Sequence, residues 1–134
     1  METVYLKIPK DPQFMLAVRL LAAGIGNIYS FNTEDIEDLK VAVSEACFCS
    51  PEEGTPALEL TFFLDEGKMT VEVKGASSGK KPTLTLGKPA QESIGLLLMQ
   101  NLMNSLEFKK DENCSLIRMT KKSRTPILPL SGKS

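Results

Sequence analysis

This sequence of 134 residues contains no histidine. That removes the commonest general base, the commonest zinc ligand and every Ser–His or Cys–His nucleophile pair. The remaining side-chain chemistry rests on carboxylates and thiols. In VAVSEACFCS, residues 41–50, Glu45 precedes Cys49 by one helical turn, so on a helix the two share a face. A carboxylate held there can take a proton from a hydroxyl, or it can simply pair with a neighbouring lysine on the surface. Cys47 and Cys49 would point to different faces of the same helix and have no second ligand pair, so they are not a zinc motif. Cys47 reads as a small core residue, and packing is the plainer role for Cys49 as well. From Gly75 to Pro89 the composition turns to Gly, Ser, Lys, Pro and Thr. That stretch reads as a mobile loop, with Lys80, Lys81 and Lys88 able to attract phosphate.

The elements that must position these groups follow from periodicity. VYLKIP, residues 4–9, alternates as a first strand. Asp11 and Pro12 start a helix whose stripe is Phe14, Val18, Leu21 and Ala22, and the Gly24 to Gly26 pair is its stop signal. Asn32 or Thr33 caps a second helix with Glu34 and Asp35 in its first turn, where carboxylates suit the helix dipole. Its stripe is Ile36, Leu39, Val43, Ala46 and Cys47, and Pro51 bounds it. ALELTFFL and KMTVEVK are two strands about an Asp65-Glu66-Gly67 hairpin corner. IGLLLMQNLMNSL is a third helix, apolar nearly all round and so expected to be buried, with Met99 and Met103 as core. LEF and SLIRMTK are two last strands. Two hairpins with helices clustered on one face make an α+β two-layer sandwich with a mostly antiparallel sheet. Residues 1–122 form one domain, and residues 123–134, with two prolines, form a flexible tail.

Composition narrows the function classes. The chain is 42% hydrophobic and 25% charged with a net charge of −1, which offers nothing for a nucleic-acid polyanion or an anionic membrane. No apolar run approaches the roughly 20 residues that span a bilayer, and the N-terminus lacks a signal-peptide core. Three cysteines without a disulfide spacing fit a reducing cytoplasm.

KIPKDPQFMLAVRLLAAGIG followed by EDIEDLKVAVSEAC resembles the opening of the bacterial anti-sigma-factor serine kinases, and IGLLLMQNLMNSLEF with SLIRMTK resembles their close. The resemblance spans residues 4–122. It implies the Bergerat fold of the GHKL ATPase superfamily. It also implies a small dimeric cytoplasmic regulator that binds a sigma factor and uses ATP to phosphorylate a serine on a STAS-domain anti-anti-sigma protein. Family members use the first-helix region for dimerisation and sigma binding, which makes Arg19 a candidate partner contact beside its plainer reading as a solvated arginine.

Each nucleotide motif of that family is altered here. The family's helical Glu-x-x-x-Asn supplies a general base and a magnesium-holding amide; Glu45 stands at the glutamate but Cys49 stands at the asparagine. A thiol is a soft ligand, whereas Mg²⁺ wants hard oxygen donors. The family's Asp-x-Gly-x-Gly, whose aspartate recognises adenine, aligns with Gly75, Ser77 and Gly79, and residues 73–80 contain no acid. Alternatively, Gly75 and Gly79 are ordinary loop glycines. The phosphate-cradling Gly-x-Gly-Leu reads Ser93-Ile94-Gly95-Leu96 and keeps one glycine. Hydrogen bonds to charged groups are worth about 1.5–3 kcal/mol each, so losing two weakens Mg-ATP binding on the order of 10²- to 10⁴-fold.

The resemblance with these departures implies an anti-sigma-factor-like regulator that works by binding a sigma factor or a STAS-domain antagonist. It would be a pseudokinase with no cofactor and no metal. The alternative is an active protein serine kinase that uses Mg-ATP through compensating residues. A third reading is an unrelated scaffold on the same sandwich, since fold alone does not fix function.

Overall fold

The computed structural model describes residues 2–48, 57–76, 94–110 and 114–123. Strand β1 (Glu2–Pro9) leads into helices α1 (Met15–Ile28) and α2 (Thr33–Phe48). The hairpin β2 (Ala57–Asp65) and β3 (Lys68–Ala76) follows, then α3 (Ile94–Leu102) and the hairpin β4 (Ser105–Lys110) and β5 (Cys114–Lys122). The element order matches the sequence expectation throughout. The five strands form one open antiparallel sheet in the order β1-β2-β3-β5-β4. β5 inserts between β3 and β4, so the two hairpins share a ladder in the middle of the sheet.

Alternation decides which side of the sheet is covered, because successive side chains point to opposite faces. Leu58, Leu60, Phe62 and Leu64 of β2 are buried, as are Met69, Val71 and Val73 of β3 and Ile117 and Met119 of β5. Met15, Val18, Ala22 and Ile25 of α1 and Leu39, Ala42, Val43 and Ala46 of α2 close over them in a single core. The opposite face is polar. There Arg118 donates to Glu72 at 2.8 Å and to Glu107 at 3.1 Å, and Lys74 lies 3.6 Å from Glu59.

Local chemistry departs from the sequence reading in three places. Asp11 accepts from the Gln13 N–H at 2.9 Å, but it caps a 3₁₀ turn (Pro12–Phe14), and the α-helix proper starts at Met15. The stop at Gly24 to Gly26 does not occur, and α1 runs on to Ile28. A Cβ on Gly26 would lie 3.0 Å from Ile36 Cγ1, so this glycine lets α2 approach closely. Ser30 ends the helix instead, at φ 67, and the Phe31 N–H returns to the Gly26 carbonyl at 2.9 Å. The start of α2 agrees, since Asn32 Oδ1 accepts from the Asp35 N–H at 2.7 Å.

The third departure is α3, which is not buried all round. Leu96 and Met99 are buried, but Ile94 is 75% exposed, Leu97 42% and Leu98 37%. Among the described residues it packs chiefly against α2, with β4 beside it, so an apolar sequence here coats a half-covered helix. α2 has α1 on one flank, α3 on the other and the sheet beneath, and takes the place that apolarity alone had assigned to α3.

Candidate functional site

Where the ligand motifs converge follows from one buried lysine. Lys121, near the end of β5, lies 3.0 Å from Asp38 Oδ2 and donates to the Leu102 carbonyl at 2.6 Å. Asp38 is in the first half of α2 and Leu102 is the last residue of α3. The two packed helices are therefore antiparallel, and the C-terminal end of α2 lies with the N-terminal end of α3. Lys121 is the register partner of Met69, so β3 carries Gly75 toward that same end of the molecule. Glu45 sits two turns beyond Asp38, about 10 Å along the α2 axis. Gly95, in the first turn of α3, is about as far beyond Leu102 in the matching direction. Glu45, Gly75 and Gly95 thus come from three segments to one end of the α+β layer.

Their environments differ. Glu45 is half-buried and has no hydrogen-bond or salt-bridge partner among the described residues. The surface lysine pair that would have given it a plain structural role is absent there, since Lys40 binds Glu37 at 3.1 Å instead. Gly75 is buried within β3, paired with Leu58 on one side and Ser115 on the other. It is a strand residue in a fixed register, not part of the loop that the composition had placed from residue 75. Cys49, Ser77, Gly79 and Ser93 lie outside the described residues, as do Lys80, Lys81 and Lys88 and the 124–134 segment.

Arg19 is half-buried rather than freely solvated. Its Nη1 donates to Ser44 Oγ at 2.9 Å, across the α1–α2 seam and next to Glu45 in sequence. Ser44 is buried and no sequence signal marked it. Cys47 is buried, as its place on the apolar stripe required. Among the described residues no cluster of three or more His, Cys, Asp or Glu could hold a metal ion. Nor is any described helix long and apolar enough to cross a membrane.

At the strand position that the family resemblance assigns to the adenine-binding acid stands Gly75, whose backbone is committed to both neighbouring strands. Glu45 alone retains the side-chain type that a hydroxyl-activating base needs.

Comparison with known proteins agrees with this architecture. A family model described as a histidine kinase-like ATPase domain matches residues 8–121. The serine-protein kinase RsbW of Halalkalibacterium halodurans is 31% identical over 138 residues, covering 90% of this chain and 83% of that protein. RsbW of Bacillus pumilus is 30% identical over 139 residues, covering 90% and 85%. RsbW of a Bacillus cereus strain is 29% identical over 143 residues, covering 90% and 84%. The chain belongs to the histidine kinase-like ATPase domain family, on its anti-sigma-factor serine-kinase branch.

Proposed function

We propose that this chain is a non-catalytic partner-switching regulator, which binds a sigma factor or a STAS-domain antagonist and does not turn over ATP. The observation that carries the reading is Gly75. It is buried in the β3 ladder where the family places its adenine-binding aspartate, and no acid lies within reach along residues 73–80. Cys49 in place of the metal-holding asparagine supports the same conclusion by donor chemistry. Together the two changes remove about 3–6 kcal/mol of Mg-ATP binding, on the order of 10²- to 10⁴-fold.

Binding then falls to protein surfaces. α1 turns Leu16, Leu20 and Ile28 outward, all well exposed, and Arg19 lies between the first two. This apolar ridge supports the first-helix region as the partner-binding and dimerisation face, with residues 1–122 acting as one domain in the cytoplasm. Arg19 contributes there by fixing the α1–α2 seam through Ser44 while keeping part of its guanidinium accessible.

A second reading has one observation in its favour. The half-buried Glu45, without a partner among the described residues, is what an active serine kinase would need as its base, and the relatives are named serine-protein kinases. Isothermal titration with ATP and ADP, with and without Mg²⁺, separates the two. The regulator reading expects no binding up to millimolar nucleotide. Magnesium-dependent micromolar binding, followed by phosphate transfer to a STAS-domain serine that Glu45→Gln abolishes, would establish the kinase instead.

A further inference from the structure

α1 and α2 meet along a seam with one polar crossing. Arg19 Nη1 donates to Ser44 Oγ at 2.9 Å, and among the described residues this is the one side-chain hydrogen bond that α1 makes to another element. Ser44 is only 5% exposed, although Val41 and Phe48, three residues before it and four after it on the same side of α2, are 40% and 48% exposed. Its hydroxyl is closed off from water and answered across the seam by the guanidinium. A buried hydroxyl left unbonded is costly, so this bond constrains both partners: Ser44 needs a donor, and Arg19 is steered to supply it.

The guanidinium stands in apolar surroundings on both helices. Leu16 lies one turn before Arg19 on α1 and Leu20 directly after it, both well exposed, while Val41 and Phe48 flank Ser44 on α2. An arginine carries several N–H donors, and among the described residues no carboxylate pairs with this one. A long, rotamer-rich side chain loses freedom when it is immobilised against a partner, and a bond to a buried group takes part of that loss in advance. We propose that Ser44 is a positioning residue: its buried hydroxyl holds the Arg19 guanidinium beside the exposed leucines of α1, ready for a protein partner. This deepens, and rests on, the reading that the first-helix region is the partner-binding face.

Nitrogen relaxation of the arginine side chains, measured by NMR on the full chain with no ligand present, reads the holding directly. The Arg19 Nε–H should be restricted in the unmodified chain, as should that of Arg118, which binds Glu72 and Glu107 on the opposite face of the sheet. Ser44→Ala should drop the Arg19 order parameter into the flexible range, below about 0.6, while Arg118 and the backbone of α1 and α2 stay unchanged. Ser44→Thr, which keeps the hydroxyl, should restore it. A second arm titrates a STAS-domain protein. There Ser44→Ala should weaken binding by about two- to ten-fold, and should have no effect once Arg19→Ala is present, because Ser44 acts only through Arg19. The proposal is overturned if Arg19 is as mobile in the unmodified chain as in Ser44→Ala, if the folded Ser44→Thr chain behaves as Ser44→Ala does, or if Ser44→Ala costs as much affinity in the Arg19→Ala background. Failure of the STAS-domain protein to bind the unmodified chain would count against the partner reading alone, because the relaxation result needs no partner.

Discussion

The two ends of the α2–α3 pair are built on opposite plans. At one end Lys121, Asp38, Asp35 and the Leu102 carbonyl converge within hydrogen-bond or ion-pair reach, with the ammonium sealed from solvent. At the other end Glu45 has no partner among the described residues, Gly75 offers only backbone, and α3 shows Ile94, Leu97 and Leu98 to solvent. In low dielectric an unpaired charge is costly, so a buried lysine persists only where every neighbour answers it. A half-exposed glutamate carries no such demand. The fastened end is therefore structural, and under the proposed function the open end is where binding has room to change.

The comparison breaks most visibly through Lys121. Lys121→Met leaves Asp35 and Asp38 without their cation and is expected to lower unfolding free energy by about 3–5 kcal/mol in urea denaturation. A loss below about 1 kcal/mol would mean the cluster is no better connected than a surface ion pair.

Two leucines sharpen the contrast between the helices. Leu39→Ala on α2 removes a fully buried side chain and should cost about 2–5 kcal/mol through the cavity it leaves. Leu97→Ala on α3, where apolarity alone predicts a core cost, should stay within about 0.5–1 kcal/mol because that side chain is 42% exposed. Equal losses for the two in thermal or urea melts would show that α3 is covered in solution.

The smallest effect lies at the sheet edge. The Tyr5 phenol is held above its ordinary value by desolvation first, then by the charge of Glu59 and a hydrogen bond to it. A folded-state value raised in this way gives a contribution that is full below the ordinary phenol range and lost as pH rises through the raised value. Glu59→Gln should move the Tyr5 ultraviolet titration downward.

How much of this was legible beforehand depends on the kind of signal. Strict alternation in ALELTFFL and KMTVEVK had one reading, because a half-covered sheet needs period-two burial, and both strands formed where expected. Glu45 was visible because its helix carries a clear stripe. Three things were not visible. Gly24 and Gly26 looked like a stop, but only the approach of Ile36 reveals that Gly26 is a contact glycine. IGLLLMQNL looked buried, because composition reports affinity for a core and says nothing of how many neighbours arrive. Lys121 gave no signal, since its partners lie far away along the chain, on α2 and α3.

The sequence by itself determined the element order, the α+β class and the family, because those depend on residue types and on spacing within one segment. Only the tertiary structure decided that Gly75 is locked in a central ladder, that Arg19 is held by Ser44, that α2 rather than α3 is the enclosed helix, and that a buried lysine fastens α3. Each of these is set by a contact between segments distant in the chain, and such contacts exist only once the sheet has brought the segments together.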